Sequence, residues 1–265
     1  MEAPTLWQDI ARIREQAPLV HSITNYVVMN STANALLALG ASPVMAHAEA
    51  EMADMVGLTH TVGGALVINI GTLSPAWVAG MGQAMRAAAQ QSVPIIFDPV
   101  GAGATPYRTR TCAELLSQTP PTIIRGNASE IMALSDATTT TKGVDSNQST
   151  DAAREAATQL ARAYSCVVSV SGATDLITDG EATRTVPRGH ALMPRVTGLG
   201  CTASVLTGAF AAVNDDPLAA AEHAMWVMAL CGEIAGEQAQ GPGSLQMHFI
   251  DALHNLDEDA LKVRL

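Results

Sequence analysis

One segment of small residues has the composition of an anion-binding site. It reads Thr197-Gly-Leu-Gly-Cys201-Thr-Ala-Ser204, so that two glycines precede a run of helix-like sequence. Glycine lets the backbone approach a ligand closely, and a helix N-terminus offers unpaired N–H groups and a partial positive charge. The segment lacks the Lys-Ser/Thr ending of a Walker A loop and the third glycine of the dinucleotide-binding motif. We therefore predict an anion site where this helix begins.

Cys201 lies at the predicted start of the same helix. The positive end of a helix dipole favours a thiolate, so this placement predicts a lowered pKa for the Cys201 thiol. A lowered pKa would make the residue a candidate catalytic group. The alternative interpretation is a small buried residue at a packed helix start.

A second candidate segment, Arg125-Gly-Asn127-Ala-Ser-Glu130, follows a predicted strand. Arg125 would place a fixed positive charge at the strand end, where a phosphate could bind. Asn127 and Glu130 are three residues apart, which fits a capping box at the start of a helix. The functional alternative is that Glu130 orders a water or a Mg²⁺ ion near phosphates.

Further polar residues stand at the ends of other predicted strands. Asp98 follows an apolar strand and precedes a proline, so it either forms a turn or associates with a metal. Asn25 and Ser171 follow two other strands, and Met45 ends a third. His21 ends the first strand, and a lone histidine of this kind is interpreted as a structural residue.

The elements that must position these residues alternate along the chain. The predicted strands are 18–21, 43–46, 65–70, 94–98, 122–125, 166–171 and 175–178, and the predicted helices are 31–39, 49–58, 75–91, 127–134, 152–164, 202–213, 217–237 and 245–256. An amphipathic helix is expected within residues 1–19. This alternation indicates a mainly parallel α/β sheet with helices on both faces, and a closing hairpin makes one edge mixed. Ligands of such sheets bind beyond the carboxyl ends of the strands.

The chain is expected to form a single domain over residues 1–265. It shows no internal repeat and no linker that would divide it. The polar stretch 137–150 lacks periodicity and is interpreted as a surface loop, or alternatively as a lid over a site.

Composition excludes several classes of protein. Of the 265 residues, 48% are hydrophobic and only 15% are charged, and the net charge is −11. The chain has no dense Lys/Arg cluster, so we expect neither a nucleic-acid binder nor a protein of anionic membrane surfaces. The four cysteines show no zinc-binding spacing, and the N-terminus is not a signal peptide, which predicts a cytoplasmic protein with reduced thiols. The low charge is also typical of a chain that hides surface in an oligomer.

Several segments together resemble one known family. They run in order along almost the whole chain: Leu36-Leu-Ala-Leu-Gly-Ala-Ser-Pro-Val-Met45, Ile68-Asn-Ile-Gly-Thr-Leu73, Asp98-Pro-Val100, Ile124-Arg-Gly-Asn-Ala-Ser-Glu-Ile-Met-Ala-Leu134, Gly143-Val-Asp145, Thr178-Asp-Gly180, Gly198-Leu-Gly-Cys201 and Glu237-x-x-x-Gly-Pro-Gly-Ser244. The sequence resembles the hydroxyethylthiazole kinases of the ribokinase-like superfamily. The resemblance implies Mg²⁺-dependent transfer of the ATP γ-phosphate to the primary alcohol of 4-methyl-5-(2-hydroxyethyl)thiazole, in thiamine salvage. It also implies a homotrimer with active sites between subunits.

The resemblance also assigns roles to individual residues. Met45 and Gly198 would contact the thiazole, together with Asn25 as our further substrate-binding candidate. The remaining roles are ATP binding by Arg125, Asn127 and Ser171, metal binding by Glu130 and Asp98, and an anion hole formed by the backbone of Gly198, Leu199, Gly200 and Cys201. Cys201 occupies the position at which related sugar kinases carry an aspartate base.

Two positions depart from the family pattern. Leu199 replaces the usual threonine of the Gly-Thr-Gly-Cys motif, which removes a hydroxyl but keeps the backbone amide. Ser171 replaces an ATP-contacting threonine and keeps its hydroxyl. The alternatives are a kinase for another small alcohol, such as hydroxymethylpyrimidine or a sugar, and a non-catalytic protein that binds a thiazole or a nucleotide.

Overall fold

The computed structural model describes residues 1–138 and 150–265. The described part contains eight strands, which are β1 (Leu19–Ile23), β2 (Ser42–Val44), β3 (Ala65–Asn69), β4 (Ile95–Asp98), β5 (Ile123–Asn127), β6 (Val167–Ser171), β7 (Asp175–Thr178) and β8 (Thr183–Val186). Its α-helices are α1 (Ala3–Gln16), α2 (Met29–Leu39), α3 (Met52–Thr61), α4 (Pro75–Gln90), α5 (Pro106–Gln118), α6 (Ala128–Thr138), α7 (Thr150–Tyr164), α8 (Leu199–Ala211), α9 (Pro217–Gln238), α10 (Pro242–Asn255) and α11 (Glu258–Arg264).

All eight strands form one sheet in the order β2-β1-β3-β4-β5-β6-β7-β8. The first six strands of this order run parallel, and β7 and β8 add an antiparallel edge. The mainly parallel sheet with one mixed edge is therefore confirmed. Because the strands are parallel, the carboxyl ends of β1, β3, β4, β5 and β6 meet at the same edge of the sheet.

Helices cover both faces of the sheet. In β3, Ala65 and Val67 pack against a core that also contains residues of α1, α2, α8, α9, α10 and α11. Leu66 and Ile68 point to the opposite face and pack against a core formed with α3, α4, α5, α6 and α7. Burial on both faces explains why β3 is a continuous apolar run and does not alternate.

Several predicted boundaries were wrong, three of them at residues singled out above, and three of the described helices and strands were missed. β1 runs to Ile23, so His21 lies inside the strand and not at its end; β2 ends at Val44, and α8 begins at Leu199. The missed elements are α5, β8 and α11. β8 and α11 each bury a single side chain, and α5 opens with the polar run Tyr107-Arg-Thr-Arg-Thr111, so the apolar periodicity that sequence reasoning depends on is weak there. The predicted loop or lid falls almost wholly outside the described residues.

Helix α9 is long and apolar enough to cross a membrane, by length and composition alone. Within the fold, 72% of its most apolar window is buried. That degree of burial is typical of the core helix of a globular protein.

Two helical glycines should respond in opposite ways to substitution by alanine, because α8 packs closely on the sheet and α3 has open space beside its glycine. An added Cβ at Gly208 would lie 2.8 Å from Cγ2 of Val67, whereas a Cβ at Gly57 of α3 would meet no atom within 4 Å. We expect Gly208→Ala to lower the free energy of unfolding by about 1–2 kcal/mol through overpacking, despite the better helix propensity of alanine. Gly57→Ala, the matched control, should raise it by up to about 1 kcal/mol. Urea denaturation measures both, and stabilisation by Gly208→Ala would contradict the packing described here.

Candidate active site

A cavity of about 370 Å³ opens where the carboxyl ends of the parallel strands meet the start of α8. It is lined by Asn25, Val27, Val28, Gly71, Asp98, Val100, Arg125, Asn127, Glu130, Ser171, Thr197, Gly198, Gly200 and Cys201. Except for Met45 and Leu199, every candidate site residue from the sequence lines this cavity.

A chain of buried hydrogen bonds joins three strand ends to α8. The Asn25 amide donates to Oδ1 of Asn69 over 2.9 Å, and the Asn69 amide donates to Oδ2 of Asp98 over 2.9 Å. Ser204 of α8 donates its hydroxyl to the same Asp98 oxygen over 2.7 Å. This series of hydrogen bonds requires glycine at position 71, because a Cβ there would lie 2.6 Å from the Asn25 amide nitrogen. These bonds fix the position of the Asp98 carboxyl group at the cavity wall.

The environment of Asp98 disfavours its charge. Burial raises the pKa of this carboxyl to about 6, and the nearby Arg125 and the Ser204 hydrogen bond oppose that shift only in part. Glu130 adds a repulsive negative charge. A buried carboxylate in this state is well suited to gain a cation as a partner.

The start of α8 presents free backbone donors. Its first intrahelical hydrogen bond runs from Thr202 N to Gly198 O, so the amides of residues 199–201 have no acceptor within the helix. Gly198 precedes them with φ +88°, and a Cβ there would lie 2.8 Å from Val28. Both the backbone conformation and the close approach therefore require glycine. The anion site itself stays a prediction.

Arg125 lies beside these donors. Its Nη1 donates to Gly200 O over 2.8 Å, and the residue is only 6% exposed. Its buried Nε has no partner among the described residues. A buried guanidinium with a free donor next to unpaired amides is an arrangement that an anion would complete.

The capping box at the start of α6 is confirmed. Oδ1 of Asn127 accepts from Glu130 N over 3.0 Å, and Oε2 of Glu130 accepts from Asn127 N over 2.8 Å. Oε1 of Glu130 accepts from Gly101 N over 2.9 Å, which ties the turn after β4 to α6. Glu130 therefore has a structural role, and its carboxylate still faces the cavity.

The predicted lowering of the Cys201 pKa was wrong. Burial and the negative charge of Asp98 raise the pKa of this thiol to about 11, although the Asn25 amide lies 3.6 Å from its sulfur. Loss of solvation and a nearby carboxylate outweigh the partial charge of the helix N-terminus, which amounts to only about half an elementary charge.

A larger cavity of about 740 Å³ adjoins the first, since both include Arg125, Asn127, Ser171 and Gly200 in their walls. Its far side is mostly apolar, with Leu199, Ala203, Met193, Met225 and Met228, while His190, Arg188, Glu233 and Asp175 add polar groups. The side chain of Leu199 is 8% exposed and belongs to the core beneath this wall. The residue that departs from the family pattern therefore lines the larger cavity and not the smaller one.

Met45 is not among the residues that line either of these two cavities. It follows β2 in a segment without regular structure, and its carbonyl accepts from His47 Nδ1 over 3.4 Å. His21 is fully buried in β1, and its Nε2 lies 2.9 Å from the carbonyl of Ala46.

Two residues that support the site were not singled out by sequence reasoning. Ser204 was quoted within the glycine segment without a role. Arg108 of α5 donates to the carbonyls of Ile70, Val100 and Gly71 over 2.7–2.9 Å, and so fastens the turns after β3 and β4. A threonine-proline pair at 105–106 was the available signal for α5, since Thr105 caps the helix and proline follows it.

The raised pKa of Cys201 predicts a slowly reacting thiol. At pH 8 we expect alkylation of Cys201 by iodoacetamide to be about 100-fold slower than that of free cysteine, because only the thiolate reacts. The rate should still rise with pH above pH 9. Mass spectrometry of the peptide that contains Cys201 gives the rate, with Cys201→Ser as the blank. A rate that levels off below pH 8 would contradict the burial argument.

The chain was compared with known proteins. The sequence profile of the hydroxyethylthiazole kinase family matches residues 10–259. A hydroxyethylthiazole kinase of Syntrophus aciditrophicus is 56% identical over 260 residues, which cover 98% of this chain and 95% of that protein.

Solved structures agree with this result. Hydroxyethylthiazole kinase from Pyrococcus horikoshii superposes with a TM-score of 0.89 at 43% identity, over 98% of this chain and 96% of that one. A pyridoxal kinase from Staphylococcus aureus, solved with AMP-PCP, has a TM-score of 0.60 at 16% identity, over 82% and 88% of the two chains, and is similar in fold alone. The expected ribokinase-like α/β fold is thereby confirmed. Since the family profile covers nearly the whole sequence and the relatives match it end to end, the chain belongs to the hydroxyethylthiazole kinase family.

Proposed function

We propose that this protein transfers the γ-phosphate of ATP to the primary alcohol of 4-methyl-5-(2-hydroxyethyl)thiazole, in the salvage of thiamine precursors. The observation that carries the proposal is the buried Arg125, whose Nη1 donates to the Gly200 carbonyl in the first turn of α8, where the amides of residues 199–201 have no acceptor within the helix. Phosphoryl transfer depends mainly on positioning and on stabilising charge around the transferred group. Arg125 and the amides of residues 199–201 supply that charge from fixed positions.

The nucleotide would occupy the larger cavity. Its apolar wall suits an aromatic base, and the shared boundary of the two cavities would place the phosphates next to Arg125, Asn127 and Ser171. The γ-phosphate would then face the start of α8. In this arrangement Leu199 donates its backbone amide to the phosphoryl group, so the missing threonine hydroxyl removes one contact and leaves the anion hole in place.

The alcohol would enter the smaller cavity from the side of Asn25 and Gly198. The backbone near Met45, which lies outside the lining of this cavity, would contact the thiazole ring as the family resemblance implies. Cys201 would lie next to the reacting hydroxyl, with Asn25 as a neighbouring donor. Because its pKa is about 11, the thiol is protonated at neutral pH and would not accept the proton of the alcohol. As the new O–P bond forms and ADP leaves, that proton would pass to an oxygen of the transferred phosphoryl group or to water. We therefore assign to Cys201 a contact role at the reacting oxygen, which is consistent with a loose transition state that needs little help from a base.

The residues present suit a Mg²⁺ ion bound with ATP. Magnesium in kinases is held by one or two carboxylates, by phosphate oxygens and by water, so it needs no cage of protein ligands. Asp98 and Glu130 both face the cavity and repel each other electrostatically. Within residues 1–138 and 150–265 there is no group of three or more His, Cys, Asp or Glu residues that could hold a metal ion, so the ion would be held largely by the nucleotide phosphates and water. The ion would neutralise phosphate charge during transfer.

The exposed apolar residues beside the cavity support an oligomer. Tyr26 and Val27 are 66% and 70% exposed, and Val27 lines the mouth of the smaller cavity. Apolar groups of this size at a site entrance are typical of surfaces covered by another subunit. We propose a homotrimer in which a neighbouring subunit completes the thiazole pocket. The four unpaired cysteines suit a reducing compartment such as the cytoplasm.

Measurement of ADP release with Mg·ATP, in the presence and absence of the thiazole alcohol, tests the proposed activity. Release should depend on the alcohol. Arg125→Ala should lower kcat about 100-fold or more, because removal of one charge-stabilising donor has this effect. Arg110→Ala is the matched control, since this arginine is exposed on α5, and it should retain wild-type rates. Glu130→Gln should raise the Mg²⁺ concentration needed for half-maximal rate.

Three results would argue against this proposal. Equal rates for Arg125→Ala and the wild type would refute the phosphate site. Release that requires a hydroxymethylpyrimidine or a sugar would assign a different acceptor. A thermal shift with the thiazole alcohol but no ADP would indicate a binding protein.

Light scattering should give a mass three times the 27.5 kDa of the chain. Val27→Asp should lower this mass and raise the KM for the alcohol together, because a charge would be buried in the subunit contact. Val263→Asp, on an 85% exposed residue of α11, should change neither quantity. A wild-type monomer with full activity would refute an active site shared between subunits.

A further inference from the structure

The segment 45–48, which follows β2, has neither helix nor strand structure and is held in place by side chains of other elements. β2 is only three residues long and lies at the edge of the sheet. Its hydrogen bonds therefore fix the backbone up to Val44 and no further. The position of the Met45 and Ala46 backbone must be determined by contacts from neighbouring elements.

His21 makes the first of these contacts. It pairs with Val44 across the β1–β2 register, and its Nε2 lies 2.9 Å from the Ala46 carbonyl oxygen. A carbonyl only accepts, so Nε2 carries the proton and Nδ1 is left as a bare acceptor. That Nδ1 is buried with no partner among the described residues. Burial also lowers the pKa of His21, which keeps the ring neutral at physiological pH.

A fully buried imidazole with one unpartnered nitrogen is unfavourable for folding. An apolar side chain at this strand position would avoid that cost, since Ile23 on the same face packs into the apolar core. Among the described residues, the hydrogen bond that the histidine side chain gains is the one to Ala46. We therefore assign to His21 the role of holding residues 45–48 in position.

A stack of aromatic rings makes the second contact. The His47 ring lies 4.7 Å from the Trp77 ring, and the Trp77 ring lies 5.1 Å from that of Tyr26. Trp77 belongs to the first turn of α4 and is 6% exposed. α4 also approaches the segment closely at Gly80, where a Cβ would lie 3.1 Å from the His47 carbonyl oxygen.

The stack ends at the catalytic side of the site. Tyr26 directly follows Asn25, whose amide lies 3.6 Å from the Cys201 sulfur. Trp77 is therefore packed between the segment after β2 and the segment after β1. Rings in such contact resist relative displacement, so the distance between the Met45 backbone and Cys201 is set through Trp77.

We propose that His21 and Trp77 are positioning residues that hold the Met45–Ala46 backbone at a fixed place relative to Cys201, and so determine the affinity for the thiazole alcohol. This inference rests on the proposed function, in which that backbone contacts the thiazole ring. Neither residue lines the two cavities at the start of α8. The backbone that they hold contacts the acceptor and not ATP in the proposed function. Substitution of either residue should therefore weaken the binding of the acceptor and leave the binding of ATP unchanged.

Steady-state kinetics of His21→Leu tests the proposal. Loss of one buried hydrogen bond should raise the KM for the thiazole alcohol about fivefold to tenfold, with kcat and the KM for ATP within about twofold of wild type. His21→Gln keeps a nitrogen donor near the position of Nε2 and should restore most of the affinity. Trp77→Leu should raise the same KM, and Trp77→Phe should do so less.

Ser22→Ala is the matched control. Ser22 is the next residue of β1, and its hydroxyl is equally buried and without a partner in the described structure. This variant should leave all three kinetic parameters unchanged. An equal rise in KM for Ser22→Ala and His21→Leu, or a fall in kcat for His21→Leu with KM unchanged, would overturn the positioning role.

Amide hydrogen exchange provides a readout that needs no turnover. In His21→Leu, peptides that cover residues 42–52 should exchange faster, while peptides at the start of α8 should not change. Unchanged exchange in residues 42–52 overturns the inference whether or not the wild type phosphorylates the alcohol. If His21→Leu shows the expected faster exchange but the wild type releases no ADP with the alcohol, the proposed function is refuted, and with it the assignment to thiazole affinity. The positioning of residues 45–46 by His21 would still hold.

Discussion

The site depends on one buried carboxyl group at the centre of the sheet edge. Asp98 ends β4 and accepts hydrogen bonds from Asn69 of β3 and from Ser204 of α8, which lies 106 residues further along the chain. These bonds join two central strands to the helix whose first turn presents the free amides. If Asp98 were replaced by an apolar residue, Asn69 and Ser204 would both lose a buried acceptor. The same burial leaves the carboxyl group in need of a positive partner, which suits a site for a metal–nucleotide complex.

Desolvation decides the chemistry available at this site. The helix N-terminus favours negative charge. Burial and the charge of Asp98 nevertheless raise the pKa of the Cys201 thiol, because both disfavour the thiolate. The strong donors of the site are therefore the backbone amides at the start of α8 and the guanidinium of Arg125. A kinase built in this way would rely on fixed donors around the phosphoryl group and make little use of a side-chain base.

Close backbone approach is the second constraint on the site. Gly71 admits the Asn25 amide, and Gly198 combines a positive φ with a close contact to Val28. Because the donors of the proposed anion site belong to the backbone, the side chain at position 199 is not required there. Leu199 instead packs into the core under the wall of the larger cavity.

The sequence alone determined that the sheet is mainly parallel with one mixed edge, and it located most of the helices and strands. Long apolar strands and helices carry strong periodicity, which makes them readable. It also brought Asp98, Arg125, Asn127, Glu130 and the glycine segment to one edge of the sheet, since the carboxyl ends of parallel strands must meet there. The first half of α5 is polar and carried too weak a pattern, so Arg108 was missed with this helix.

Only the tertiary structure decided how these groups affect one another. Burial depth and the distance between residues that are far apart in the chain determine the pKa of Cys201, the partners of Asp98 and the free Nε of Arg125. A local pattern contains no information about desolvation by elements folded from elsewhere. For the same reason the sequence shows His21 only as an isolated histidine. Its hydrogen bond to the Ala46 carbonyl exists only because β1 and β2 pair in the fold.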